Sequence, residues 1–414
     1  MNNSSQVIHR ARWIIPIDKP LLEDGAVAVS AGRIVDVGRF ADMKSAFTGF
    51  SVEDHGDAVL LPGLVNAHTH LDNSAVAGAT PRGSGDFVVW AEAFLSAKDS
   101  ISVEKKREAI AVACRDLVDY GTIVVGDICP TLLSPPFLVE LPVWGSIFIE
   151  MTGIGRERGE HLFLEAKEKL SLAEAGFARS RLGFSLAPHA PYSTDPSLIE
   201  RVIAENSSAG RLTSFHLAES PQEEAILMGE HDGFGHAMRK WDFMGEGFRP
   251  PRMRPVAYLE SLGGLAIGRG MIAVHCVQLD DSEIEKLARS GCSICLCPRS
   301  NDYIGFRQPR IADMLAAGIE PCLGTDGLGS VDTLSVWDEM SFIRQRHPAI
   351  QPESLLRMAT LNGARALRLD ADLGSLAPGK IARFLAYWGE IGGEPIEVLT
   401  SGIERAKLDW IDGD

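Results

Sequence analysis

No apolar run in this sequence reaches the roughly 18 residues that a membrane span requires. The opening stretch, MNNSSQVIHRARWIIPID, turns polar before it attains signal-peptide length. The cytoplasm is therefore the expected address. Basic residues are in deficit: 40 Lys and Arg against 56 Asp and Glu give a formal net charge of -16. A surface this acidic does not attract phosphate backbones, so nucleic acid is not an expected partner, and without an apolar span neither is a membrane. Cysteine is sparse and odd in number, at seven. No disulfide framework is expected. Cys292, Cys295 and Cys297 cluster, but no second CxxC pair exists to close a tetrahedral zinc site. SICLC reads instead as a buried strand. A glycine-rich phosphate loop is also missing.

What is present is an ordinary globular balance, with 45% hydrophobic and 23% charged residues. The first sixty residues read as short strands broken by Gly and Asp turns. From Leu64 the rhythm changes. Apolar strands such as LVNAHTH, TIVVGDI, WGSIFIEMTG, LGFSLAPHAPYS, LTSFHLAES, MIAVHCVQL, CSICLCPRSN and EPCLGTDGL alternate with amphipathic stretches. Several of those stretches begin at Ser, Thr or Asp and stop at Gly, as helices do. Buried strands alternating with helices give a parallel sheet covered by helices, so the fold class is α/β. Eight strands in this length predict a (β/α)8 TIM barrel over residues 61–369. A doubly wound open sheet is the alternative. Past residue 370 short strands return, so residues 1–60 and 370–414 are expected to build a small β-sandwich.

His68 and His70, in LLPGLVNAHTH, are the most informative pair. Residues two apart on a strand share a face, so both rings can reach one cation. Downstream strand ends carry His189, His216 with Glu219, His275 and Asp326. Any one of these histidines, taken singly, reads as a core residue. Five of eleven histidines at strand ends, where barrels keep their active sites, read as a site. His68, His70, His216 and Asp326 offer three nitrogens and one oxygen to Zn²⁺, or to Fe²⁺ or Mn²⁺. A dinuclear centre would need a lysine ending the fourth strand, and LGFSLAPHAPYS has none, so one metal ion is expected. Such an ion brings the pKa of bound water to about 7. Asp326 can then hold the water's proton, His275 can orient the oxygen, and Glu219 can shuttle a proton. Weaker substrate-binding candidates are Trp90 in a possible lid, Arg156 after strand three, Arg299 after strand seven and Ser330 in the GTDGLGS loop.

PGLVNAHTH, HLAES, AVHCV and GTDG, in that order, resemble the strand motifs of the amidohydrolase superfamily. The resemblance spans nearly the whole chain, including the terminal LAPGK. It is closest to the single-metal branch that deaminates aminated heterocycles. There the glutamate of HLAE shuttles protons, which falls on Glu219, and the histidine ending strand four contacts substrate, which falls on His189. NAHTHLDNSA, GDFVVWAEAF, APHAPYS and CPRSN are most similar to aminofutalosine deaminases, which would imply a role in menaquinone biosynthesis. The sister group acts on S-adenosylhomocysteine and methylthioadenosine, and guanine or triazine hydrolysis uses the same chemistry. The resemblance also implies a homo-oligomer, a dimer or larger. Two departures stand out: Val331 follows Ser330 where the family often has Asn nearby, and Arg383 follows Ala382 where Asp is usual. A barrel that only binds ligand is the reading from another class, and it gives no use to Glu219 beside a hydrated metal.

Overall fold

The computed structural model describes residues 6–230, 233–241, 243 and 248–413. The chain divides into two compact units. One comprises residues 1–66, 116–124 and 335–414, the other residues 67–115 and 125–334.

The first unit holds a seven-stranded sheet. Its N-terminal strands are β1 (Gln6–Ile14), β2 (Leu22–Ser30), β3 (Arg33–Arg39), β4 (Ser51–Asp54) and β5 (Val59–Pro62). The antiparallel meander β1–β2–β3 sets Val7 against Val29 and Val27 against Val37. The far edge of β1 forks: β4 pairs its first half and β5 its last residues, both parallel. Alternating side chains cover both faces. Val27, Val29, Leu60 and Phe384 pack in one cluster, while Ile8, Ala26, Ala28 and Met43 pack in another. The sequence reading expected a two-layered sandwich here. In hydrogen bonding the strands are one sheet, because β5 pairs with both β1 and a strand near the C-terminus, Arg383–Tyr387.

Eight further strands form two four-stranded sheets. The first runs β6 (Leu64–Thr69), β7 (Thr122–Ile128), β8 (Trp144–Met151), β9 (Leu182–Pro188). The second runs β10 (Thr213–Leu217), β11 (Met271–His275), β12 (Ser293–Leu296), β13 (Cys322–Leu323). The pairs β8–β9, β10–β11, β11–β12 and β12–β13 are parallel. Every residue of β6, β7, β10 and β11 is buried, as strands covered on both faces must be. Two links join the sheets at their margins. His216 N–H donates to the His189 carbonyl at 3.0 Å, and Thr69 bridges to Asp326 in parallel.

Local chemistry sets the connecting helices. Asp280 and Glu283 close a capping box ahead of the helix Asp281–Ser290, and Gly291 ends it in the left-handed conformation. PRSN, read as the end of a strand, instead opens the helix Pro298–Ile304, because Pro is suited to a first helical turn. The last strand is also shorter than expected, at two residues. All seven cysteines are free and buried, including the 292, 295, 297 cluster. No described helix is long and apolar enough to cross a membrane.

Candidate active site

His68 lies in β6 and His70 just past its end. The two rings stand edge to face, and their Nε2 atoms are 3.2 Å apart. His216, from β10, brings its Nε2 to 3.2 Å from that of His70. Asp326 Oδ1 lies 3.4 Å from His70 Nε2 and 3.9 Å from His68 Nε2. Gly324 permits this convergence. A Cβ there would sit 2.6 Å from the His68 carbonyl oxygen and 2.8 Å from its Cβ, so only glycine lets the chain pass this close to His68.

These donors fit a divalent cation. Bonds of about 2.0–2.1 Å at tetrahedral angles put neighbouring ligand atoms about 3.3 Å apart; the distances from His70 Nε2 are 3.2, 3.2 and 3.4 Å, and only His68 to Asp326 is longer, at 3.9 Å. His216 Nδ1 donates to the His189 carbonyl at 2.9 Å, which turns the Nε2 lone pair inward. Burial holds His68 well below the ordinary imidazole value and His70 down to about 3, so both rings are neutral ligands near pH 7. Asp326 is kept below its usual range by the histidines beside it and by Ser300, although burial opposes this. Its Oδ2 accepts from Ser300 at 2.6 Å and Ser330 at 2.9 Å, leaving Oδ1 for the cluster.

Glu219 and His275 face each other across the cavity, with Glu219 Oε1 at 3.7 Å from His275 Nε2. Burial raises Glu219 well above the ordinary carboxyl value, helped by the charges of Asp326 and Glu223. Asn301 Nδ2 sits 3.3 Å from His275 Nδ1. With the amide as donor, the ring proton resides on Nε2, which is buried and has no hydrogen-bond partner among the described residues. Glu223 fixes the corner by accepting from the N–H groups of Ala218 at 2.9 Å and Glu219 at 2.8 Å. Four non-glycine residues at these strand ends have left-handed backbone: Ala218 (φ 53°), His275 (71°), Cys276 (51°) and Asp326 (60°). Each such residue costs on the order of 1–3 kcal/mol, which the surrounding packing must offset.

A cavity of about 190 Å³ opens beside these groups. His70, His189, His216, Glu219, His275 and Asp326 all line it, as do Trp90 and Ser330. The His189 Nδ1 lies 2.5 Å from Ser193 Oγ. Trp90 Nε1 donates to the Gly329 carbonyl at 3.0 Å, which fixes the indole at the wall. Two of the sequence candidates lie elsewhere. Arg156 is the exposed first residue of the helix Arg156–Gly176 and does not line the cavity. Arg299 directs its guanidinium to Thr333, at 3.2 Å from the carbonyl and 3.1 Å from the hydroxyl.

Sequence reasoning missed Glu150, Lys98 and Asn301. Glu150 Oε1 lies 3.7 Å from His216 Nδ1, and burial pushes its carboxyl up to about 8. A lone acid inside the apolar run IFIEM was the available signal. Two further acids are buried nearby, Asp72 in the short helical segment after β6 and Asp127 in β7. Asp127 accepts from Leu71 N–H at 3.0 Å, tethering the residue next to His70.

This geometry offers a candidate cation site beside a buried acid, and comparison with known proteins gives its lineage. The chain belongs to the amidohydrolase family, whose model matches residues 59–399. A bacterial imidazolonepropionase-like composite domain matches residues 25–49. The 5-methylthioadenosine/S-adenosylhomocysteine deaminase of Nitratidesulfovibrio vulgaris is 27% identical over 390 residues, covering 89% of this chain and 80% of its own. The aminodeoxyfutalosine deaminase of Deinococcus radiodurans is 29% identical over 363 residues, covering 83% and 81%. Among solved structures, the Helicobacter pylori aminofutalosine deaminase in complex with methylthio-coformycin superposes with a TM-score of 0.87 at 22% identity, covering 99% of each chain. A zinc-bound adenosine deaminase from Xanthomonas campestris gives 0.82 at 24% identity, over 99% of this chain and 92% of its own. These two share the fold.

Proposed function

We propose that this chain is a divalent-metal-dependent hydrolytic deaminase of 6-aminopurine nucleosides, with aminodeoxyfutalosine as first substrate. The observation that carries the reading is Glu219. It is a buried carboxyl with a raised pKa, 3.7 Å from His275 and beside four metal-ligand atoms. The named relatives support a purine amine as the leaving group. We also read the two four-stranded sheets as one (β/α)8 barrel over residues 61–369, supported by the links at both margins. In this reading residues 1–60 and 370–414 form the second domain.

His68, His70, His216 and Asp326 would hold the cation, with zinc the first choice from the ligand set. When bound, it supplies an acidified water and a positive charge next to the substrate carbon. The protein's own groups do the rest. Glu219, kept protonated by burial, gives its proton to ring nitrogen N1, which makes C6 electrophilic. Asp326 Oδ1 accepts a proton from the attacking water, its other oxygen being occupied by Ser300 and Ser330. His275 Nε2–H donates to the oxygen that becomes the product carbonyl. The proton taken up by Asp326 passes to the amino group, the C6–N bond breaks to release ammonia, and the remaining hydroxyl proton returns to Glu219 as the product carbonyl forms. His189 and Trp90 then serve as walls that orient the ring.

Ammonia release by the zinc-loaded protein tests this. The substrates are aminodeoxyfutalosine, methylthioadenosine, S-adenosylhomocysteine, adenosine and guanine. Turnover of an adenine nucleoside is expected. Guanine alone as substrate would overturn the 6-aminopurine assignment. A second reading, methylthioadenosine or S-adenosylhomocysteine as native substrate, is favoured by the relatives that carry that name.

A further inference from the structure

On the sheet of the first unit, Glu53 and His55 repeat the two-residue spacing of His68 and His70. β4 ends at Asp54, and side chains two apart on an extended chain share a side. The parallel register sets His9 of β1 directly opposite Glu53. Two strands thus bring three donors together, and one ligand atom from each lies within 4.8 Å of the others. His9 Nδ1 is 3.1 Å from His55 Nε2 and 3.5 Å from Glu53 Oε2. Among the described residues no lysine or arginine pairs with Glu53; Arg10, on the same strand as His9, is taken by Asp24 and Asp54.

The three side chains are held differently. His9 is 3% exposed, and its ring meets Phe384 edge to face at 5.5 Å. Its Nε2 is buried without a hydrogen-bond partner. Burial holds the ring's pKa down at about 4, against the pull of Glu53, so His9 is a neutral imidazole near pH 7. With the proton on Nε2, the Nδ1 lone pair faces the other two donors. His55 is half-buried, and its backbone N–H is tied to the Arg10 carbonyl at 2.8 Å. Glu53 is exposed and free to turn. An ion about 2.05 Å from each atom would see the 3.1 and 3.5 Å spans at about 100° and 115°, on either side of the tetrahedral angle. Two imidazoles and a carboxylate suit Zn²⁺, Ni²⁺ or Cu²⁺, whereas Mg²⁺ and Ca²⁺ prefer oxygen alone.

We propose that His9, Glu53 and His55 form a second divalent-ion site, outside the barrel, which takes zinc-class ions and clips β4 to β1. β4 is exposed along its whole length and pairs with β1 alone, so it is the element such a clip would steady. The two facing nitrogens are within hydrogen-bonding distance, and an ion must displace that contact. With one of its three ligands in solvent, the site is weak and exchangeable. Desalting empties it, while the centre made by His68, His70, His216 and Asp326 keeps its ion.

The zinc-loaded, desalted protein is titrated calorimetrically with Zn²⁺ and, separately, with Mg²⁺. One further Zn²⁺ per chain should bind, and Mg²⁺ should not. At ten times the measured Kd, exchange of the His55 amide should slow about tenfold, since local opening would release the ion. Glu53→Gln should weaken the added site at least about tenfold, and His55→Ala should abolish it. Both variants should keep the first zinc ion, the ammonia release and the Tm of the wild type, which separates loss of the site from loss of the fold. No further Zn²⁺ in the wild type overturns the proposal, as does an unchanged Kd in either variant. Equal binding of Mg²⁺, or Zn²⁺ binding that leaves exchange at His55 unaltered, overturns it too.

Discussion

Replacing Glu219 by Gln removes the acidic proton and almost nothing else. The side chain is buried, so the amide fills the same volume. If the carboxyl moves a proton to the ring in the rate-limiting step, kcat/KM should fall by about 10²–10⁴-fold. That is about 3–5 kcal/mol of transition-state stabilisation. Stability should not suffer. Burial and the neighbouring Asp326 and Glu223 all disfavour the ionised form of Glu219, so a neutral amide replaces a neutral acid. The assay is kcat/KM on the best adenine nucleoside, with zinc content and Tm measured on the same samples. A second readout is the pH profile. Wild-type activity should decline at alkaline pH as Glu219 ionises, and the variant should lack that limb. Full zinc occupancy with kcat/KM within about threefold of wild type would refute the proton-transfer role.

Three further outcomes are expected. The wild type should bind one divalent ion per chain, and His216→Ala should lose it, read by elemental analysis; chelation should abolish ammonia release and re-addition of zinc should restore it. Asp127 is raised by burial and by Asp72 to about 7, from an ordinary 3.8. Between those values the folded state binds the extra proton, so stability should fall as pH rises through that window, by roughly 3 kcal/mol from pH 5 to 8. Denaturant titrations of Asp127→Asn should show that slope flattened. Arg156→Ala should leave kcat/KM within about twofold, because the side chain is exposed on a helix outside the cavity.

The convergence of the candidate ligands His68, His70, His216 and Asp326 was legible because each lies near the end of a strand, and strand ends can be read from apolar runs. His68 and His70 needed only the two-residue period of β6. Glu219 followed from His216 in the same way. The cavity walls were not legible, because they come from elements whose orientation no local pattern states. Lys98 sits on a helix with charged neighbours, and such a residue ordinarily faces solvent; what turns it inward is the aromatic stripe at positions 87, 90 and 94. Arg156 and Arg299 failed for the opposite reason. Both follow strands closely in sequence, but each begins or joins a helix that carries its guanidinium elsewhere. The terminal strands were found, whereas their pairing into one forked sheet depends on β5, which bonds to partners more than 300 residues apart.

The left-handed residues at 218, 275, 276 and 326 carry a consequence for how this centre is assembled. A non-glycine corner of that kind tolerates no one-residue slip, since the neighbour brought into its place would have to take up the same costly backbone. Ring positions are thus fixed when the chain folds, before any ion arrives. Ion entry then demands little rearrangement, and ion exchange should leave the far-ultraviolet circular dichroism unchanged. The loops beyond those corners are under no such constraint. They can be lengthened, shortened or swapped to admit different purine tails while the reacting groups stay where the corners hold them.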